Sequence, residues 1–182
     1  DNEEEIFIPL IKKLLFKFND LKIIIAPRHP ERSYIIKNKY SKEQISTGII
    51  DINKKLNYEV SIINSLGDLP YYYNLSDVVF LGGSFVKKGG HNPIEPAANK
   101  CAIITGPYIF NWQNIYNKLL ENEACYLLQE MIDLEKTIIK LFSNEKLMET
   151  KKQKANNISK INFFDSEKLF FTINKYLREE NC

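Results

Sequence analysis

Histidine and cysteine are scarce in this chain: two of the first and three of the second among 182 residues. Cys101, Cys125 and Cys182 are odd in number and far apart, with no metal-ligand spacing. That excludes a disulfide framework and a thiolate metal site, and fits a reducing compartment. No carboxylate or thiol stands at the spacing that would complete a metal site with His29 or His91, so neither a catalytic metal nor a cofactor is expected. Apolar runs of membrane-spanning length are missing, as is a signal peptide. Charge is nearly balanced at a formal +2, too mild for a nucleic-acid partner, which needs a concentrated basic face. There is no initiating Met either. Asp1-Asn2-Glu3-Glu4-Glu5 leads straight into a helical pattern, so the chain reads as an excised piece.

What is present is ordinary for a folded protein: 44% hydrophobic and 26% charged residues, enough for one domain with a sizeable core over residues 1–182. Ile6, Leu10, Leu14, Leu15 and Phe18 recur at helical spacing with lysines between, predicting an amphipathic helix over 3–18. The continuous apolar run Leu21–Ala26 predicts a strand buried on both faces. Further strands are predicted at 59–64, 77–81, 101–105 and 124–128. Helices are predicted at 31–40, 69–75, 93–99 and 112–122. From Glu130 to Glu180 the pattern is helical, with breaks near Ser143 and at 162–165. The apolar face of its last helix is expected to promote weak self-association. Strands alternating with helices define an α/β protein with a Rossmann-like, doubly wound parallel sheet. In such a sheet, ligands bind beyond the carboxyl ends of the strands.

Four segments stand at those ends. Pro27-Arg28-His29-Pro30-Glu31-Arg32 follows the first strand, where two prolines stiffen the turn. Arg28 is suited to a phosphate or carboxylate there, unless it pairs locally with Glu31; His29 is read as a turn residue. Leu66-Gly67-Asp68 follows the second run. Its glycine admits close approach of a planar ligand, and the same residues also read as a helix start with Asp68 as N-cap.

The third segment runs from Gly82 to Pro96 and holds four of the chain's seven glycines within nine residues. Gly83, Ser84, Gly90 and His91 lead to Asn92, a good helix N-cap, and Pro93, a good first helical residue. A phosphate at that helix start would meet N–H donors and the positive dipole end, with Lys87 or Lys88 nearby. Ile94 opens the helix, and Glu95 stands one residue on, where a carboxylate can accept hydrogen bonds from ribose hydroxyls or act as a dipole-favoured surface group. No Gly-Lys-Ser/Thr follows the glycines and no GxGxxG is present, which excludes a P-loop and a dinucleotide fingerprint. Ser84 lacks the G-x-S-x-G elbow of a hydrolase. The fourth segment, Thr105 to Trp112, is expected to wall the same crevice, with Trp112 anchoring its helix in the core.

These pieces, in this order, resemble the Kdo (3-deoxy-D-manno-octulosonic acid) transferases that build the inner core on lipid A. The matching runs are PRHPER at 27–32, LGDL at 66–69, SDVVFLGGSFVKKGGHNPIEPA at 76–97 and GPYIFNW at 106–112. The chain departs from the family pattern at Asp68, where glutamate is common, and at Trp112, where phenylalanine is common. The resemblance implies the C-terminal half of a GT-B glycosyltransferase, the half that holds the nucleotide of CMP-Kdo. By position, Pro27 and Arg28 would touch phosphate or ribose, and Leu66, Gly67 and Asp68 the cytosine. Gly83, Ser84, Gly90, His91, Asn92, Pro93, Ile94 and Glu95 would line the phosphate and ribose.

The family's general base and its contacts to the lipid A precursor and the membrane belong to an N-terminal half. That half is absent from this sequence, and the helices of about 130–182 would pack on the domain and reach towards it. The fragment would then hold no catalytic residue and be inactive alone, and it has no membrane segment of its own. The full-length protein would work at the cytoplasmic face of the bacterial inner membrane. Two rival readings are a GT-B domain for a nucleoside-diphosphate sugar and a non-catalytic nucleotide- or anion-binding domain.

Overall fold

The computed structural model describes residues 3–52 and 55–160. Among the described residues six short strands, all paired in parallel, form two three-stranded sheets. The first sheet holds β1 (Ile23–Ile25), β2 (Thr47–Ile50) and β3 (Val60–Ile63) in the order β1-β3-β2. The second holds β4 (Val78–Leu81), β5 (Ala102–Thr105) and β6 (Cys125–Leu127) in that order. The helices between them are α1 (Glu3–Ile6), α2 (Ile8–Lys17), α3 (Ser33–Lys42), α4 (Leu69–Asn74), α5 (Ile94–Ala98), α6 (Gln113–Glu121) and α7 (Ile132–Phe142). Residues 145–160 are also helical. Parallel strands alternating with helices are the expected α/β class; the expected break at 162–165 and the last helix lie outside the described residues.

The chain divides into two compact units. Of the described residues, one comprises those up to Ser76 together with Ile132–Ser143; the other comprises Asp77–Met131 and residues 144–160. Each has its own apolar core. In the first, Ile36, Tyr40, Val60 and Ile62 are buried with Ile11, and α7 packs on α2 with the Phe18 and Phe142 rings 5.5 Å apart. In the second, Ile103, Tyr116, Leu119, Ala124 and Ala155 are fully buried. Central strands β3 and β5 are buried along their whole length. The edge strands β1 and β4 are only half-buried over most of theirs, although the Leu21–Ala26 run predicted burial on both faces.

Two further departures have plain causes. The helix expected over 3–18 is interrupted at Phe7, because Pro9 lacks an N–H and is tolerated only in a first turn, so α2 starts just before it. Strand β2 carried no sequence signal: it is four residues long and contains Gly48. There a Cβ would lie 2.1 Å from the Tyr58 ring, so a larger residue would have to displace that ring.

Candidate functional site

In the first unit the parallel arrangement brings the carboxyl ends of β1 and β3 side by side, with Ile25 level with Ile62. The Pro27–Arg32 turn and the Leu66–Asp68 turn therefore lie on the same edge of one sheet. Ser33 fastens them. It is fully buried, and its hydroxyl lies 2.6 Å from the Pro30 carbonyl and 3.0 Å from the Ile63 carbonyl, within donating reach of each. Arg28 is exposed and forms no ion pair among the described residues. Glu31, its local competitor by sequence, instead sits 3.6 Å from the His29 ring nitrogen. Arg32 turns the other way, to Glu4 at 3.1 Å.

Leu66 and Gly67 are exposed, and Gly67 takes φ +91°, a backbone conformation that favours glycine. Asp68 precedes α4 as its N-cap, with Pro70 in the first turn as expected. Its side chain does not cap the helix, however; it accepts a hydrogen bond from the Ser65 hydroxyl. Behind it, the Tyr72 hydroxyl is buried and makes no hydrogen bond among the described residues. Burial, then the carboxylates of Asp68 and Asp51, push its pKa up.

In the second unit the glycine-rich loop follows β4. Gly83, Gly89 and Gly90 all take positive φ, +66°, +87° and +72°. A Cβ on Gly90 would lie 3.1 Å from the Tyr108 carbonyl. Phe85 stacks on Phe80 with ring centroids 5.7 Å apart, tying the loop's start back to the strand. Ser84 is fully buried: its hydroxyl donates to the Leu81 carbonyl at 2.6 Å and accepts from the Gly106 N–H at 2.8 Å. Nothing in that geometry leaves it exposed as a nucleophile. The buried Thr105 hydroxyl at the end of β5 has no partner among the described residues.

His91 is exposed, and its carbonyl accepts from the buried Tyr116 hydroxyl at 3.1 Å. Asn92 serves the helix start with both ends of its amide. Its Oδ1 accepts from the Ile94 N–H at 2.9 Å, while its Nδ2 donates to Glu95 Oε1 at 3.1 Å. Pro93 is buried and Glu95 exposed. The helix that follows, α5, has only five residues. Its dipole is correspondingly small, and Lys87 and Lys88 in the preceding loop are both exposed. Trp112 packs against the second core, as expected. A cavity of about 410 Å³ in this unit lies elsewhere, lined by Glu121, Glu123, Lys154 and Asn157 among others.

Each sequence-predicted group thus sits at the carboxyl edge of a parallel sheet: Pro27, Arg28 and Leu66–Asp68 in the first unit, Gly83–Glu95 in the second. Two residues that hold these loops, Ser33 and Asn111, were not singled out from the sequence. A polar side chain directed at main-chain carbonyls of a distant loop has no local signature.

These features define a Rossmann-like α/β fold of parallel sheets with flanking helices, the architecture of the C-terminal halves of GT-B glycosyltransferases. No family model matches the chain. It is 34% identical over 148 residues to the 3-deoxy-D-manno-octulosonic acid transferase of Haemophilus influenzae, covering 80% of this chain and 35% of that protein. The Rickettsia prowazekii transferase of the same name is 31% identical over 156 residues, with 85% and 34% covered. The chain therefore spans about a third of the length of the curated relatives it matches. Among solved structures, the C-terminal CMP-Kdo binding domain of WaaA from Acinetobacter baumannii superposes with a TM-score of 0.78 at 25% identity, covering 87% of this chain and 84% of that one. By sequence and by fold, the chain is a relative of the C-terminal domain of the Kdo transferases.

Proposed function

We propose that this chain is the donor-binding domain of a Kdo transferase and holds the CMP portion of CMP-Kdo. The observation that carries the reading is the agreement of two matches: sequence identity to named Kdo transferases, and fold similarity to a domain described as CMP-Kdo binding. Arg28, with Pro27, contacts phosphate or ribose, where a guanidinium offers bidentate donors. Leu66, Gly67 and Asp68 take the cytosine. Gly83, Gly90, His91, Asn92, Pro93 and Ile94 line the phosphate, and Glu95 accepts from the ribose hydroxyls. Ser84, buried with its hydroxyl already paired, contributes by shaping the loop.

On this reading the full-length enzyme transfers Kdo to a hydroxyl of a lipid A precursor at the cytoplasmic face of the inner membrane. The domain's part is to stabilise the departing CMP phosphate with Arg28 and the loop. The group that deprotonates the acceptor belongs to a further domain, so the chain alone binds CMP and transfers nothing. Among the described residues no helix is long and apolar enough to cross a membrane.

Titration calorimetry with CMP tests the proposal: a dissociation constant of about 1 mM or tighter is expected. No binding at that concentration, or turnover by the chain alone, sinks it. A thermal-shift comparison of CMP with UDP separates it from a nucleoside-diphosphate-sugar domain, since a ligand that binds only the native state raises the melting temperature.

A further inference from the structure

We propose that Asn111 is a positioning residue for the glycine-rich loop, holding two consecutive loop carbonyls so that the loop is preformed for the nucleotide. This rests on the donor-binding reading for its functional consequence, though not for its geometry.

The loop from Gly82 to Asn92 contains no regular secondary structure. With three glycines at positive φ, it has many alternative conformations open to it. Its internal hydrogen bonds include Lys88 N–H to the Val86 carbonyl at 2.6 Å and Gly90 N–H to the Gly83 carbonyl at 3.1 Å. The segment after β5 holds it from outside. Gly106 N–H donates to the Ser84 hydroxyl, Tyr108 N–H donates to the Ser84 carbonyl at 2.9 Å, and Tyr116 holds the His91 carbonyl. Between these anchors lies Asn111. Its main-chain N–H donates to the Gly89 carbonyl at 3.1 Å, and its side-chain Nδ2 donates to the Lys88 carbonyl at 2.9 Å.

Two consequences follow from elementary geometry. A trans peptide carries its C=O and N–H on opposite edges, and the chain has no cis bond among its described residues. Holding the Lys88 carbonyl towards Asn111 therefore turns the Gly89 N–H away from it. Holding the Gly89 carbonyl likewise turns the Gly90 N–H to the far side, where it meets Gly83. One asparagine thus sets two successive peptide planes. The second consequence concerns residue 89 itself. A Cβ there would lie 2.4 Å from Asn111 Nδ2, so the amide occupies the space a side chain would need. Glycine at 89 and asparagine at 111 fit as a pair.

Asn111 is exposed and contributes little to the core, so its effect on the loop is separable from its effect on folding. The test uses the full-length enzyme with Asn111→Ala, and with Asn111→Asp, which keeps the shape but removes the donor to Lys88. Both variants are expected to weaken CMP binding about tenfold and to raise KM for CMP-Kdo, with kcat within about twofold of wild type. The melting temperature should fall by no more than about 2–4 °C. Amide hydrogen exchange at Gly90 and at position 111, whose N–H groups donate to the Gly83 and Gly89 carbonyls, should quicken in both. Unchanged exchange at these amides overturns the proposal, as does faster exchange with unaltered CMP affinity. Should wild type bind no CMP, the donor reading fails separately, and the exchange rates alone decide whether Asn111 holds the loop.

Discussion

Two buried serines do the same task in the two units. Ser33 reaches the Pro30 and Ile63 carbonyls, and Ser84 joins the Leu81 carbonyl to the Gly106 N–H. Each fastens a ligand-side turn to the end of a strand. Removing the Ser84 hydroxyl leaves a buried N–H and a buried carbonyl without that partner. We expect Ser84→Ala to lose about 1–3 kcal/mol in urea unfolding. The thiols of Cys101 and Cys125 are silent by comparison. Burial pushes both up to about 12, against an opposing pull from nearby lysines. A thiol that ionises less readily in the folded state gives full stability below its unfolded pKa, near 9, and loses it as pH rises towards 12. The chain should therefore lose stability between about pH 9 and 12, and Cys101→Ala/Cys125→Ala should flatten that decline in denaturant titrations at stepped pH. At pH 8 both thiols should resist alkylation until the protein unfolds.

Elements in this fold end in a repeated way. After α3, α5 and α6 the chain takes a positive φ at Gln44 (62°), Lys100 (58°) and Glu123 (51°). The next N–H then bonds back to the third-last helical carbonyl: Ile45 to Tyr40, Cys101 to Pro96, Ala124 to Leu119. Each is a Schellman motif that places a buried residue one or two positions before a strand. All three left-handed positions carry a side chain where glycine would be relaxed. Gln44→Gly and Lys100→Gly should each stabilise the protein by about 0.5–1 kcal/mol, measured as a rise in the denaturant midpoint at unchanged slope.

Short α5 needs more help than the others. Buried Asn156, from the 145–160 helix, donates to the Ala97 and Ala98 carbonyls at 3.2 and 2.9 Å, satisfying groups the helix end leaves open. Asn156→Ala should cost about 1–3 kcal/mol. It should also weaken CMP binding, because α5 carries Glu95.

At the scale of the molecule, the candidate ligand residues are divided between units with separate cores. On the proposed donor-binding reading, Arg28→Ala and Glu95→Ala should each cost at least about fivefold in CMP affinity by calorimetry. Both side chains are exposed, so the melting temperature of the unliganded protein should hardly move. Unchanged affinity in both variants would favour a non-catalytic anion-binding domain.

Much of this was legible in the residues. Apolar runs such as Leu21–Ala26 and Asp77–Leu81 mark strands because they are short, continuous and rich in β-branched residues, although both proved to be half-buried edge strands. Glycine density at 82–90 marked the loop, because those backbone angles exclude most other residues. The motif from 76 to 97 pointed to the transferase relatives. Tertiary structure decided the rest. Strand β2 is defined by its pairing with β3, with Gly48 level with Ser61 and the Tyr58 ring against it, contacts invisible to periodicity. The helix over 3–18 broke where Pro9 required a new first turn. Asp68 turned to Ser65 and away from its helix. Asn111 took hold of Lys88 and Gly89, more than twenty residues away in the chain. Local preference determines which segments extend, coil or turn, because it acts between neighbours. Which carbonyl a distant amide reaches depends on how strands align side by side, and that alignment exists only once the sheet has formed.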